Sequence, residues 1–147
     1  MTDEIIIYTD GGCDPNPGLG GWAAVIIEGK NRREISGAAA FSTNNRMELT
    51  AAIEALKVVK KNLPITLFTD SQYLKRGIDE WLPRWLAKNW RGANGPVANK
   101  DLWQELLRVT RDRKVNWRWI YGHTGNPDNE RVDFLCRLAR SQFRRSY

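Results

Sequence analysis

A chain of 147 residues with 41% hydrophobic and 27% charged residues can bury a real core as one domain, 1–147, without disulfide staples. This composition is typical of a globular protein and does not indicate a disordered chain. The net charge of +6 is concentrated in residues 81–147, which hold 14 Lys/Arg against 6 Asp/Glu, and this indicates either a polyanionic partner or an inert basic surface. Two cysteines and one histidine exclude the usual zinc site, and no run of about 18 apolar residues or signal peptide is visible, so we expect a cytoplasmic protein without a membrane span.

The chain opens with segments that are typical of β-strands. Residues 5–9 form a β-rich run that ends at Asp10 and a Gly-Gly pair, and residues 14–18 are rich in turn formers. Residues 21–27 predict a second strand, and residues 33–41 predict a third after a hairpin near 29–31. The first part of the chain is therefore predicted to form a three-stranded meander.

The hydrophobic period then changes to that of an amphipathic helix. Apolar residues recur every three or four positions, with Thr43 or Asn44 as candidate N-caps; they are Leu49, Ala52, Ile53, Leu56 and Val59. A buried strand over 65–69 ends at Asp70, and Ser71 is placed to cap the next helix. These signals predict a helix followed by a strand and a further helix.

The second half combines aromatic and basic residues. Residues 81–100 contain Trp81, Trp85 and Trp90 with four basic residues and no acid, and we predict a short helix followed by a loop. A helix over 101–112, a strand over 115–121 and a last helix that begins near Asn126 follow. The order β-β-β-α-β-α-α-α-β-α predicts an α/β fold with a mixed sheet covered by helices.

Two aspartates end strands in closely similar contexts. Asp10 and Asp70 each follow a Thr that ends a β-rich run. If these strands are parallel neighbours, both carboxylates emerge at the carboxyl edge of the sheet, where ligands bind in open α/β folds. Taken singly, each aspartate is explained as well by a turn or cap.

Two further acids flank apolar helical faces. Glu48 lies in what we predict to be the first turn of its helix, where a capping box or the helix dipole also explains it, and Asp133 could equally be a surface residue. Clustered carboxylates repel one another near neutral pH unless a cation binds them. Oxygen ligands suit Mg²⁺ or Mn²⁺, and two such ions can catalyse phosphodiester hydrolysis.

Four segments carry a family resemblance. Residues 8–13 (YTDGGC), 43–49 (TNNRMEL), 69–73 (TDSQY) and 122–133 (GHTGNPDNERVD) resemble the bacterial type 1 ribonuclease H family, in the same order and at the same spacing. The resemblance implies a ribonuclease H-like fold, a five-stranded mixed sheet with helices on both faces. It implies cleavage of the RNA strand of RNA–DNA hybrids by a monomer, giving 5′-phosphate and 3′-hydroxyl ends.

The resemblance also implies roles for individual residues. Asp10, Glu48, Asp70 and Asp133 correspond to the ligands of two Mg²⁺ ions, His123 to a mobile proton-shuttling histidine, and Glu130 to a glutamate near the metals. The expected substrate contacts are polar groups in the minor groove, the DNA-phosphate pocket and one residue of the basic protrusion at about 81–100. They are Cys13, Asn16, Thr43, Asn44, Asn45, Gln72, Trp81 and Asn99.

Departures from the family pattern concern the grip on the substrate. Phe41 stands where well-studied members have an Arg beside the DNA-phosphate pocket, residues 86–89 are less basic than usual, and Gly12 replaces a frequent Ser. Turn and cap chemistry alternatively explains Asn16 and Asn44, and packing explains Trp85 and Trp90. A non-catalytic hybrid-binding module and another nuclease of the same fold are the alternative functions.

Overall fold

The computed structural model describes residues 4–92, 95–122 and 125–145. In chain order the strands of these residues are β1 (Ile5–Cys13), β2 (Gly18–Glu28), β3 (Asn31–Ser42), β4 (Ile65–Thr69), β5 (Arg91–Gly92), β6 (Gly95–Pro96) and β7 (Val115–Trp119). The α-helices are α1 (Asn44–Val58), α2 (Gln72–Arg76), α3 (Leu82–Ala87), α4 (Lys100–Thr110) and α5 (Pro127–Arg145). A π-helical stretch, Gly77–Trp81, joins α2 to α3.

Five strands form the predicted mixed sheet, in the order β3-β2-β1-β4-β7. The meander β1-β2-β3 is antiparallel, whereas β4 pairs in parallel with both β1 and β7. Tyr8 lies opposite Phe68, and Thr9 lies opposite Thr69. The strands that lead to Asp10 and Asp70 are therefore parallel neighbours. This is the arrangement that the prediction of a shared sheet edge for the two carboxylates requires.

Helices cover both faces of the sheet, as expected. Helix α1 packs on β1 and β2, and the apolar stripe predicted for it is buried. Helix α5 packs on the opposite face, where Val132, Leu135 and Cys136 contact Ala23 and Val25 of β2. Strand β2 is buried on both sides because it lies between the two helices, which explains its nearly continuous apolar sequence.

Several predicted boundaries are wrong. Strand β1 continues beyond Asp10 to Cys13, because that extension still pairs with β2 after the parallel pairing with β4 has ended at Thr9. The loop predicted after the first helix of segment 81–100 contains the short β5–β6 ribbon. Strand β7 ends at Trp119, two residues before the predicted end.

The N-terminus of α1 also differs from the prediction for Glu48. Thr43 is the N-cap, and its hydroxyl accepts a hydrogen bond from the Arg46 N–H at 3.2 Å. Glu48 is therefore the fifth residue of the helix and lies beyond the first turn. The capping-box explanation for Glu48 is wrong, because the residue at the third helical position is Arg46.

An aromatic cluster anchors the segment from α2 to α4. Trp103 of α4 is fully buried and lies 5.5 Å from the ring of Trp85 and 5.6 Å from that of Tyr73. Trp90 stacks on Trp85 with ring centroids 6.1 Å apart. Trp85 and Trp90 therefore pack the protrusion against the domain, as the sequence suggested. Across the described ranges, no helix combines the length and apolarity that a membrane crossing needs.

Candidate active site

Asp10 and Asp70 reach the same edge of the sheet because their strands run side by side. Asp10 lies just beyond the last parallel pair of β1 and β4, and Asp70 directly follows β4. The backbone carbonyl of Asp70 accepts a hydrogen bond from Trp119 Nε1 at 3.1 Å, which ties this residue to the end of β7. The backbone positions of both aspartates are thus fixed by the sheet.

Glu48 joins them because a glycine lets α1 approach β1 very closely. A Cβ on Gly11 would lie 2.3 Å from the carbonyl carbon of Met47 and 2.6 Å from the backbone nitrogen of Glu48. Any side chain at position 11 would push the helix away from the strand. The Gly-Gly pair that appeared as a strand terminator is therefore the contact that brings the third carboxylate to the sheet edge.

The three carboxylates form a compact, largely buried group. One oxygen from each of Asp10, Glu48 and Asp70 lies within 4.8 Å of the other two. Asp10 is 9% exposed and Glu48 is 7% exposed. Burial, followed by the charges of Asp70 and Asp133, raises the pKa of Asp10 to about 8. Burial and the charges of Asp10 and Asp70 hold the pKa of Glu48 well above its usual value.

The chemistry of this group fits a divalent cation. The Glu48 Oε1 atom is buried and has no hydrogen-bond partner within residues 4–92, 95–122 and 125–145. A partnerless buried carboxylate oxygen beside two more carboxylates is costly for a protein alone, but it is a natural metal ligand. With oxygen as the only donor, the group suits Mg²⁺ or Mn²⁺ better than zinc.

Asp133 approaches the group from α5. It lies outside the compact triad, yet its charge and its side chain contribute to the raised pKa of Asp10. Arg137, one turn later on the same helix, pairs with Asp133 through Nη2 and Oδ2 at 2.9 Å. Three of the four predicted carboxylates therefore meet, and Asp133 lies outside that group, paired with an arginine.

The two other residues predicted near this group have different outcomes. Glu130 is an exposed residue in the first turn of α5, where its charge also favours the helix dipole. His123 lies outside the described residues, so its predicted role stays a prediction.

Three of the residues predicted to contact the minor groove are linked by hydrogen bonds. The side-chain oxygen of Asn16 accepts a hydrogen bond from the Asn44 N–H at 3.0 Å, and that of Asn44 accepts one from the Cys13 N–H at 2.7 Å. Asn45 and Gln72 are exposed first-turn residues of α1 and α2. The turn and cap chemistry foreseen as an alternative is thus present, but it uses only the amide oxygens of Asn16 and Asn44.

The residues predicted for the DNA-phosphate pocket belong to a polar network. Asn99 has a left-handed backbone, with φ +60°, and its amide nitrogen donates to the Tyr73 hydroxyl at 3.0 Å. Its amide oxygen accepts from Arg46, which also pairs with Asp101 through two nitrogens at 2.8 and 3.0 Å. The Thr43 hydroxyl accepts from the Arg46 backbone N–H, so Thr43 and Asn99 are linked through Arg46.

Trp81 lines a cavity of about 370 Å³ on the protrusion. Its ring lies 5.4 Å from that of Tyr73, and the Arg76 guanidinium lies 5.5 Å from its centroid. The cavity walls are aromatic and basic and include Arg84, Lys88 and Arg91. This is the combination that suits an extended nucleic-acid strand.

Three features of the site were missed by the sequence. Gly11 permits the close approach of α1, and the Ser71 side chain opposes the rise in the pKa of Glu48. Arg137 pairs with Asp133. Only the last had a usable sequence signal, since an Asp and an Arg four residues apart on a helix lie on one face.

Comparisons with known proteins agree with this geometry. The model of the RNase H family matches residues 2–141. The ribonuclease H of Cupriavidus pinatubonensis is 52% identical over 134 residues, which cover 90% of this chain and 92% of the relative. That of Thiobacillus denitrificans is 49% identical over 146 residues, covering 98% and 99%.

Two solved structures share the fold. LC9-RNase H1, described as a type 1 RNase H with the type 2 active-site motif, superposes with a TM-score of 0.86 at 27% identity, covering 97% of this chain and 74% of that chain. LC11-RNase H1, solved in complex with an RNA/DNA hybrid, has a TM-score of 0.72 at 24% identity and covers 95% and 98%. The second likeness is one of fold alone.

Proposed function

The chain belongs to the RNase H family, and from this premise we propose that Asp10, Glu48, Asp70 and Asp133 form the active site of an endonuclease that cuts the RNA strand of RNA–DNA hybrids. The observation that carries the proposal is the compact carboxylate triad, in which Glu48 Oε1 is buried without a partner. A folded chain tolerates such a group near neutral pH when it binds divalent cations. The activity therefore requires metal.

The four carboxylates would hold two Mg²⁺ ions, with Mn²⁺ as a substitute. Such ions would lower the pKa of a water molecule and stabilise the leaving 3′ oxygen, and hydrolysis would then give 5′-phosphate and 3′-hydroxyl ends. The chain contributes the fixed positions of the ligand oxygens. The Gly11 contact holds Glu48 against β1, the sheet holds Asp10 and Asp70, and Arg137 orients Asp133.

Recognition of a hybrid requires contacts with 2′-hydroxyls on one strand only. We assign those contacts to residues beside the triad, namely Cys13, Asn16, Asn44, Asn45 and Gln72. Since the amide oxygens of Asn16 and Asn44 accept from backbone N–H groups, their amide nitrogens are the groups assigned to donate to a ligand. Donors of this kind can bond the 2′-hydroxyl oxygens of the RNA strand in the shallow minor groove.

The DNA strand is assigned to the protrusion and the pocket at the start of α1. Thr43 and Asn99 would contact a DNA phosphate, and Trp81 would contact the strand along the basic cavity. His123 is assigned to moving protons or helping product release. The protein is proposed to act as a cytoplasmic monomer.

The decisive experiment uses a labelled hybrid with the freshly purified chain. We expect cleavage of the RNA strand in Mg²⁺, none in EDTA, and none of duplex DNA or duplex RNA. Asp10→Asn should abolish turnover and retain hybrid binding, whereas Asp112→Asn, at an exposed turn with φ +63° that suits Asn, should behave as wild type.

Four results would contradict the proposal. Cleavage that survives chelation, or near-normal turnover by Asp10→Asn, would remove the carboxylates from the chemistry. Tight hybrid binding without cleavage in Mg²⁺ or Mn²⁺ would favour the non-catalytic binding module instead. Cleavage of duplex DNA would indicate another nuclease of the same fold.

A further inference from the structure

Arg140 of α5 reaches the tip of β1 beside the carboxylate group. Its Nη1 atom lies 3.4 Å from the carbonyl oxygen of Gly12 and 3.6 Å from the sulfur of Cys136. The stem packs over Gly21, where a Cβ would lie 2.8 Å from the Arg140 Cγ. The absence of a side chain on Gly21 therefore leaves the space through which the Arg140 stem passes to the carbonyl of Gly12.

Within the part of the chain that the structure describes, Arg140 forms no ion pair with an acidic side chain. Among the ion pairs of the described residues, Arg131 and Arg137 of the same helix bind Glu34 and Asp133, whereas Arg140 contacts only the carbonyl and the sulfur. The guanidinium is half-buried and carries five N–H donors. Its other N–H donors can thus bind a ligand with negative charge.

The surroundings of Arg140 are the residues assigned to the minor groove. A Cβ on Gly12 would lie 3.6 Å from the side-chain oxygen of Asn44 and 3.8 Å from Arg140 Nη1, so the amide and the guanidinium flank the same glycine. Burial raises the pKa of the neighbouring Cys13 thiol, and the charge of Arg140 opposes that rise. A cation therefore borders the polar patch formed by Cys13 and Asn44.

We propose that Arg140 binds a backbone phosphate of the RNA strand close to the cleavage site. The inference rests on the proposed function, because it takes the carboxylates as the point where the RNA strand is cut. Gly12 is two residues beyond Asp10 on β1, a separation of about 7 Å along an extended strand. A group at that position meets the phosphates that neighbour the scissile one.

A phosphate is the chemical group that this site fits. In the minor groove of the hybrid, amide groups donate hydrogen bonds to the sugar hydroxyls. The edges of that groove are lined by phosphates, which bind cations. The planar guanidinium can give two parallel hydrogen bonds to phosphate oxygens, which an amide or a lysine cannot. Arg140 thus adds affinity for the backbone, in a chain whose Phe41 supplies no cation at the DNA-phosphate pocket.

The first test measures hybrid binding by Arg140→Gln over a range of salt concentrations. The Asp10→Asn background prevents cleavage during the titration. We expect Kd to rise about threefold to tenfold and the slope of log Kd against log salt to decrease by about one, as for a single lost phosphate contact. Arg140→Lys should recover part of the affinity. The matched control is Arg111→Gln, at the exposed end of α4, which should change neither quantity.

The second test locates the phosphate and identifies its strand. Single methylphosphonates, which lack the backbone charge, are placed in turn along the RNA and the DNA strand. A methylphosphonate at one RNA position near the cleavage site should weaken binding by the protein that retains Arg140. The same methylphosphonate should not weaken binding by Arg140→Gln any further, because both changes remove the same contact.

Several outcomes would overturn the inference. They are an unchanged salt slope, coupling only to a DNA-strand phosphate, or a lower melting temperature of Arg140→Gln with unaltered binding. If the wild-type chain does not cleave hybrid at all, the proposed function fails first. If it cleaves hybrid and Arg140→Gln binds as wild type does, only the role of Arg140 fails.

Discussion

Replacing Asp10 with Asn should stabilise the metal-free protein near neutral pH. In the folded state the pKa of Asp10 is about 8, raised from 3.8 chiefly by burial and then by Asp70 and Asp133. Between these two values the folded chain retains a proton that the unfolded chain releases, so stability falls as pH rises through that window. Asparagine is neutral at every pH and carries no such penalty.

The size of the effect follows from the two pKa values. At 1.36 kcal/mol per unit, the penalty of Asp10 is about 4 kcal/mol at pH 7 and about 2 kcal/mol at pH 5. The hydrogen bond from the Gly11 N–H to Asp10 Oδ1, at 2.9 Å, can be kept by the Asn side-chain oxygen. Most of the gain should therefore appear in the free energy of unfolding of Asp10→Asn.

Urea unfolding followed by circular dichroism, in EDTA at pH 5 and pH 7, measures this gain. The advantage of Asp10→Asn should be larger at pH 7 than at pH 5 by about 2–3 kcal/mol. Asp112→Asn, an exposed aspartate, should stay within about 0.5 kcal/mol of wild type at both values. An Asp10→Asn protein that is less stable than wild type at pH 7, or a gain that does not depend on pH, would refute the electrostatic explanation.

Three further substitutions test the packing, the cap and the grip on the substrate. Gly77→Ala should lower stability by about 1–3 kcal/mol in thermal unfolding, because its Cβ would lie 2.0 Å from Trp103 Cη2; an unchanged melting temperature would contradict that clash. Ser71→Ala removes the acceptor for the Leu74 N–H, so it should cost about 1 kcal/mol and also lower kcat through Glu48; a stability loss with normal kcat would leave Ser71 only a cap. Phe41→Arg should lower KM for hybrid severalfold at low salt with little change in stability, since Phe41 is 74% exposed, and an unchanged KM would mean that this position lies away from the DNA backbone.

The cysteines illustrate a relation that the sequence leaves open. Cys13 faces the α1 side of the sheet, where its sulfur and that of Met47 both lie within 3 Å of a Cβ placed on Gly20. Cys136 lies under α5 on the other face, where its thiol donates to the Gly21 carbonyl at 3.1 Å. Both are free thiols, and the sheet separates them.

The sequence alone determined the types of the main elements and the identity of the clustered acids. Hydrophobic period distinguishes strands from helices because it follows from local geometry, and the Thr-Asp context of Asp10 and Asp70 marked two strand ends. The motifs around these residues indicated the family, and the family implied Glu48 and Asp133. What periodicity could not determine is which strands are neighbours, because pairing depends on contacts between residues far apart in the chain.

The tertiary structure decided how these residues act on one another. The sequence suggested that Gly11 ends a strand, but in the structure Gly11 allows the close contact between α1 and β1. Glu48 does not belong to a capping box, because the helix begins at Asn44. The raised pKa of Asp10 depends on burial and on the charges of Asp70 and Asp133, and the placement of Arg140 depends on its close approach to Gly21 of β2. Such properties arise from distances between distant segments, which only the folded chain fixes.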